Sequence, residues 1–354
     1  MFPNTKIQGF FSFFSKFPFQ EDIFASVKRM VALMLVLVSG LVSGGIAARS
    51  EGRDSLVVMF WNLENFFDWQ KSDSLDTRSS DAEFSYSGLR HWTHRRFQLK
   101  CNAIVKSILW VGDRTGRLPD VIGVAEVENR KVLELLLKTT VLRKMTYSIV
   151  HYDSPDPRGI DVALFYDRSR LELLESRPVR VGGSNPYGEP FSTRDILLVR
   201  LRHGEDSTAF IVNHHPSKYG GKGTDTRRMV AMQALSDLTD SLERAGCANI
   251  VAMGDFNDTP DGEAFQVIDG RLENLAKPLA AKGKGSIRFN GNWQLIDMFL
   301  VSEPLRESRM EILEIPFLTA RDNKHSGEKP LRTYSGPGYL GGVSDHCPVL
   351  LEIH

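Results

Sequence analysis

From Leu56 onward, apolar runs of strand length alternate with apolar residues at helical spacing. "SLVVMFWNLEN" opens with a strand that stops at polar residues, and the polar stretch from Asp68 to Ser87 reads as a surface insertion. Phe97, Cys101, Ile104, Val105, Ile108 and Leu109 repeat at the spacing of one helical face, which predicts an amphipathic helix whose end is marked by Gly112. "DVIGVAEVEN" predicts a buried strand, and "RKVLELLLKTTVL" a second helix. The middle of the chain reads as strands: "YSIVHYD", "GIDVALFYD", "DILLVRLRH" and "TAFIVNHHPS", separated by turn residues such as Pro155, Pro157, Gly182, Gly183 and Gly204. A long helix over "RRMVAMQALSDLTDSLERAG" ends at Gly246, and "NIVAMGDFND", "WQLIDMFLVS" and "CPVLLEIH" complete the strands. Two comparable halves of strands and crossover helices point to an α/β architecture, two sheets packed face to face with helices outside. No internal repeat or long linker divides it, so one domain at the large end of the usual range is expected.

The N-terminus follows a different pattern. Lys28 and Arg29 precede "MVALMLVLVSGLVSGGIAA", which ends in small residues before the polar "RSEGRDS", the order of a secretory signal peptide. Met30 is an alternative start. Gly40, Gly44 and Gly45 and the shortness of the run disfavour an anchor helix, and no cysteine follows to carry a lipid. The expected division is residues 1–50 as signal-peptide region and 51–354 as the domain, with a mature protein secreted or periplasmic.

Composition changes little. With 42% hydrophobic residues, 25% charged residues and 44 basic against 44 acidic side chains, the chain is that of an ordinary globular protein with no overall bias toward nucleic acid. Phosphate binding, if present, has to be local. Cys101, Cys247 and Cys347 are odd in number and widely spaced, which suits packing rather than a zinc site or disulfides.

The polar residues of interest each end, or nearly end, a buried strand. Asn62 and Glu64 follow "VVMFW", Glu126 follows "DVIGVA" and His214 follows "AFIVN". Asp255 and Asn257 follow "IVAMG", Asp297 interrupts "WQLIDMFL", and Asp345 and His346 precede "PVLLEI". Singly, an Asp or Asn there is an ordinary turn former. Together they occupy the place where layered α/β folds gather ligand sites, and a carboxylate such as Glu126 in an apolar run is costly unless paired or metal-bound. The chemistry they suit is hydrolysis of a phosphate ester. Glu126, Asp345, Asn62 and Glu64 offer oxygen ligands without a thiolate, which implies a hard ion: Mg²⁺, with Mn²⁺ or Ca²⁺ as substitutes. His346, oriented by Asp297, suits proton transfer; Asp255 suits water activation and Asn257 a phosphate oxygen.

These residues lie in "FWNLEN", "PDVIGVAEVEN", "GIDVALFY", "VNHHPSKYGG", "GDFND", "LIDMFLVS" and "SDHCPV", which in this order resemble the successive motifs of the endonuclease/exonuclease/phosphatase superfamily over about residues 55 to 354. The resemblance implies a four-layer α/β sandwich, two packed, mainly antiparallel sheets flanked by helices, with a divalent-metal phosphoesterase site. It implies Glu126 as principal metal ligand with Asn62, Asp255 and Asn257 as the water-activating and phosphate-contacting pair, Asp297 and His346 as a carboxylate–histidine pair, and Asp345 as a second acidic ligand. His214 matches a histidine of the deoxyribonuclease and sphingomyelinase branches, there to protonate the leaving group or bond a phosphate oxygen. His215 beside it is expected to be supporting, because alternate strand residues face opposite ways. Arg158 stands where some members bind phosphate, and Arg194, Lys218, Arg227 and Arg228 could extend an anion-binding rim. The expectation is a monomeric, secreted nuclease or general phosphodiesterase acting on nucleic acid or another phosphodiester. The alternatives are a sphingomyelinase-like or inositol-phosphate phosphoesterase acting on lipid headgroups, and a non-catalytic binding module of the same fold.

Overall fold

The computed structural model describes residues 55–70, 83–184, 188, 190–218 and 222–354. The signal-peptide region and Met30 lie outside the described residues, as does most of the expected insertion. The compact unit runs from Arg53 to His354.

Twelve strands form two six-stranded sheets. The first contains β1 (Leu56–Phe66), β2 (Val121–Val127), β3 (Tyr147–His151), β4 (Asp161–Asp167), β11 (Arg309–Ile312) and β12 (Val349–Ile353), in the order β11-β12-β1-β2-β4-β3. The second contains β5 (Glu172–Val179), β6 (Ile196–His203), β7 (Asp206–His214), β8 (Asn249–Asp255), β9 (Glu273–Asn274) and β10 (Asp297–Val301), in the order β9-β10-β8-β7-β6-β5. Each sheet has one parallel pair, β1 with β2 and β8 with β7; every other pair is antiparallel.

The alternation of β1 builds the layers. Val58 and Phe60 join Leu198, Phe210 and Met253 in the core between the sheets, which extends to Met232 and Leu235 of α3 (Lys222–Arg244). Val57, Met59, Trp61 and Leu63 point the other way, onto Phe97, Cys101 and Ile104 of α1 (His94–Thr115) and Leu133 and Leu136 of α2 (Arg130–Thr139). Both faces of β1 are therefore apolar, and each fully buried Val, Leu or Phe contributes roughly 1.5–3 kcal/mol. Gly123 faces the second sheet at close range: a Cβ there would lie 2.9 Å from Met253 Sδ. The result is the four-layer α/β sandwich expected from the motifs.

Several local expectations need correction. The first helix runs past Gly112 to Thr115 and ends at Gly116, whose φ of 78° supplies the left-handed cap. Leu109 is exposed; Val111 takes the buried place instead. The second helix gives way to a 3-10 turn at Val141–Lys144. Two of the four edge strands, β5 and β11, carry no apolar alternation to announce them, because an edge facing solvent tolerates the charges of "ELLESRPV" and "RMEI". Parts of the expected surface insertion are buried, Asp68 at its start and Phe84 and Ser85 near its end, whereas Tyr86 is exposed. Phe67 and Asp68 are buried, and Phe84 stacks on Phe67 with ring centres 4.7 Å apart.

Candidate active site

The strand of "VVMFWNLEN" does not stop at its polar residues. β1 continues through Asn62 and Glu64 to Phe66, and it does so by bulging: its register with β2 shifts between Asn62 and Phe66. β2 bulges beside it, shifting against β4 between Ala125 and Val127, around Glu126. Glu64, Asn65 and Glu126 have φ of 47°, 54° and 59°, and Asn257 has 50°. Such left-handed backbone costs a non-glycine residue about 1–3 kcal/mol and persists where the surroundings over-determine it. Here the two adjacent bulges turn Glu64 and Glu126 out of the sheet alternation into one cavity.

The second sheet supplies the opposite wall by register. His214, Asp255 and Asp297 are direct cross-strand neighbours at the ends of β7, β8 and β10. His346 arrives from the first sheet, just before β12, and is pinned by its backbone: Trp61 Nε1 donates to its carbonyl at 2.9 Å, and its own N–H donates to Ser344 Oγ at 3.0 Å. The cavity of about 340 Å³ is lined by Glu64, Glu126, Arg158, His214, Asp255, Asn257, Asp345 and His346. Asn62 and Asp297 stand behind this lining and orient it. Asn62 Nδ2 donates to Asp255 Oδ2 at 3.0 Å, and its Oδ1 accepts from Glu64 N at 2.9 Å. Asp297 Oδ2 is 2.7 Å from His346 Nδ1.

This arrangement drives the ionisable groups apart. Burial alone would depress the His346 imidazolium, but Asp297, with help from Asp255 and Asp345, holds it well above the ordinary histidine value. His214 goes the other way: burial and the neighbouring Arg194 guanidinium push it well below, so its ring is neutral near pH 7. Burial, reinforced by Asp297, pushes the Asp255 carboxyl up to about 7. Glu126 is also buried, yet the charges of Arg158, His346 and Arg194 outweigh burial and keep it below the usual carboxylate range. Titratable groups pushed in opposite directions within one cleft are the mark of an acid–base site.

The rim residues divide. Arg158 lines the cavity, with Nη2 3.2 Å from Asn65 Oδ1 and 3.6 Å from Glu126 Oε1. Arg194 is buried against His214, Nη2 lying 3.0 Å from its Nε2, and pairs with Asp156 at 3.1 Å. Lys218 also lines the cavity and pairs with Asp258 at 2.6 Å. Arg227 lies over the Phe191 ring and Arg228 pairs with Asp225, both away from the lining. Asn257 donates from Nδ2 to His215 O at 2.9 Å. His215 is buried edge-on against Phe256, and burial pushes its ring down to about 3.

Three contributors escaped the sequence reading. Lys100 is fully buried in α1 and donates to Glu64 O at 2.6 Å and Thr333 Oγ1 at 2.8 Å. A buried lysine at a helical core position was the available signal. Arg332, in a loop without periodicity, reaches both Glu64 and Asp345. The third is a hairpin, Ile287–Phe289 with Asn292–Gln294, turned by Asn290 and Gly291 at φ 47° and 81°. Its Asn-Gly pair is a legible turn signal. Ile287 bridges to His346, and Ile287, Phe289 and Gln294 line the cavity while Arg288 and Trp293 take the other face.

The donors suit a divalent ion. They are all hard oxygens, and among the described residues Glu126 Oε2 accepts from Asn65 N at 2.9 Å while Oε1 has only Arg158 at 3.6 Å and His214 at 3.9 Å.

The profile of the endonuclease/exonuclease/phosphatase family matches residues 57–354. Direct comparison with curated proteins gives no match. Among solved structures, the chain is similar to a truncated TDP2 of Caenorhabditis elegans, at 15% identity and a TM-score of 0.53 over 85% of this chain and 97% of that one. It is similar to a mannosyl-6-phosphatase of Bacteroides thetaiotaomicron, at 16% identity and a TM-score of 0.52 over 84% and 99%. It is also similar to the human Nocturnin catalytic domain with bound sulfate, at 16% identity and a TM-score of 0.51 over 85% and 94%. At these identities the structures share the fold. The match over nearly the whole described domain, on a cavity of the kind just described, makes this chain a member of the endonuclease/exonuclease/phosphatase family, whose enzymes hydrolyse phosphate esters with a divalent metal.

Proposed function

We propose that the protein is a divalent-metal-dependent phosphoester hydrolase, acting on phosphodiesters of nucleotide or nucleic-acid type by in-line attack of water. The observation that carries this reading is the opposed pair of walls, with Glu126 on one bulged strand facing the His214–Asp255–Asp297–His346 array across a single cavity. Glu126 would hold the ion, Mg²⁺ by preference, with Asn62, Glu64 and Asp345 as nearby oxygen donors. When bound, such an ion neutralises phosphoryl oxygens and stabilises charge on the leaving oxygen. The remaining work falls to the chain. Asp255, held by Asn257 N at 2.9 Å and by Asn62, is poised near neutrality to take a proton from the attacking water. His346, kept cationic by Asp297, stabilises developing charge. His214, neutral and accepting from Arg194 at Nε2, is not the acid that releases the leaving group; with Arg194 it holds the cavity wall beside Asp255. Arg158 at the mouth binds phosphate.

The substrate preference rests on the hairpin wall. Ile287, Phe289 and Ile296 form an apolar side opposite the charged residues, and the half-exposed Phe289 is placed to stack on a base. A second reading, phosphatase action on a sugar or lipid-headgroup phosphate, draws support from the size of the cavity, which suits one small headgroup, and from the zero net charge. We also place the mature protein outside the cytoplasm and working as a monomer, the former on the strength of Lys28, Arg29 and the apolar run after them.

The deciding experiment is a panel assay of the purified protein with Mg²⁺ on plasmid DNA, RNA, sphingomyelin, inositol phosphates, mannose 6-phosphate and bis-p-nitrophenyl phosphate. Turnover of nucleic acid and of the small diester, abolished by EDTA, is the expected result. Turnover confined to monoesters or lipid would move the assignment to the second reading, and silence on every substrate would leave a binding module.

A further inference from the structure

The loop between β3 and β4 carries Arg158 to the cavity, and it is held at several points. Pro155 and Pro157 fix the backbone on either side of Asp156, and Ser154 N donates to Asp161 Oδ1 at 2.9 Å. Gly159, at φ 66°, closes the turn by donating to Asp156 O at 3.0 Å. The Asp156 side chain is buried, and both of its carboxylate oxygens are used. Oδ1 accepts from Arg158 N at 2.9 Å, inside the loop. Oδ2 accepts from Arg194 Nη1 at 3.1 Å, and Arg194 belongs to the other sheet, just before β6.

Both arms end beside the same oxygen. Through its own loop, Asp156 sets the backbone from which Arg158 Nη2 comes to 3.6 Å from Glu126 Oε1. Through Arg194 it acts on His214. Arg194 Nε lies 3.4 Å from Nδ1 of that ring and Nη2 lies 3.0 Å from Nε2, so the guanidinium holds both ring nitrogens. His214 Nε2 in turn stands 3.9 Å from Glu126 Oε1 and 3.6 Å from Asp255 Oδ2. A buried guanidinium needs a carboxylate, and the one bonded to Arg194 is Asp156. Asp156 and Arg194 stand behind the cavity lining, whereas Arg158 and His214 form part of it.

We propose that Asp156 is a positioning residue for phosphoester hydrolysis. It couples the Arg158 loop of one sheet to His214 of the other, so that a single buried carboxylate sets both groups flanking Glu126 Oε1. The inference rests on the hydrolase reading above. One arm runs through backbone and the other through charge, so substitution separates them. An asparagine oxygen still accepts from Arg158 N, but it leaves Arg194 without a counter-charge.

The test compares wild type, Asp156→Asn, Asp156→Ala and the double variant Asp156→Asn/Arg194→Gln. Affinity for inorganic phosphate is read by calorimetry in Mg²⁺, kcat and KM on the phosphoester that wild type turns over, and folding by thermal melts. Asp156→Asn should keep phosphate affinity close to that of wild type and lower kcat by about 10- to 10²-fold, the scale of a misplaced group. Asp156→Ala loses both arms and should also weaken phosphate binding by about 10-fold, as for one lost charged hydrogen bond. The double variant leaves no buried charge of this pair unmatched and should reproduce the kcat loss of Asp156→Asn. Wild-type kcat in a folded double variant, or wild-type phosphate affinity in Asp156→Ala, would overturn the proposal. Loss of the folded state in all three variants would overturn it too, by making Asp156 a residue of stability alone. Absence of wild-type turnover on every phosphoester would overturn the hydrolase reading instead, and the phosphate titration would still decide the Arg158 arm.

Discussion

The division of labour at single residues is set by partners. His346 and His214 have the same side chain and face the same cavity, yet one is held cationic by Asp297 and the other kept neutral by burial and Arg194. Asp297→Asn keeps the shape and removes the charge, so the His346 imidazole should titrate far lower than in wild type, which an NMR titration of its ring carbons measures. The sign of the linked stability follows. Because the folded value lies above the unfolded value of about 6.5, this contribution is complete below pH 6.5 and is lost as pH climbs through the raised folded value. Chemical denaturation across alkaline pH should show this loss in wild type and a flatter profile in Asp297→Asn. Activity tests the same residues. His346→Ala and Glu126→Ala should each lower kcat by about 10²- to 10⁴-fold while circular dichroism stays that of the folded protein, and wild-type turnover in either would displace the site from this cavity. Asp255, poised at about 7, should set an acid limb in the rate profile, with activity falling below neutrality; Asp255→Asn should remove activity rather than shift the limb.

Strands deliver these residues, and the delivery depends on register. Asp255 faces both His214 and Asp297 because β8 lies between β7 and β10 with no offset at its last residue. Gly254 is what permits that fit: a Cβ there would stand 2.2 Å from the carbonyl oxygen of Asn213 on the neighbouring strand. Gly254→Ala should therefore force β8 away from β7, costing about 1–3 kcal/mol in urea denaturation and lowering activity in the same protein, although the methyl touches no cavity residue. A variant as stable as wild type would remove the constraint argued here. The first sheet uses the opposite device. Its two bulges break register so that Glu64 and Glu126 leave the alternation, and among the described residues four of the six non-glycine residues with positive φ adjoin the cavity: Glu64, Asn65, Glu126 and Asn257. Neither device announces itself in a string of residues. Polar residues after an apolar run suggest that a strand has ended, whereas β1 carries on through them.

At the scale of the whole molecule, the chain must close before the site exists, because its members are spread from Asn62 to His346. β12 lies between β11 and β1 and buries Val349, Leu350, Leu351 and Ile353. Removing residues 345–354 deletes this interior strand together with Asp345 and His346, so the truncated protein should lose its cooperative thermal transition as well as its activity; a folded truncation, seen as an intact melting curve, would contradict the role given to β12. What the sequence determined by itself was the periodic part: the main interior strands, three helices, the α/β layering and the polar residues at strand ends, all legible because burial imposes a spacing on apolar side chains. The ordered motifs carried the family as well. What only the tertiary structure decided was non-local. Arg332 meets a glutamate 268 positions away, edge strands β5 and β11 need no apolar pattern, and the opposite states of His214 and His346 depend on which charge lies within a few ångströms of each ring. Spacing along a chain records which face a residue takes; the charge that will stand next to it is fixed by folding.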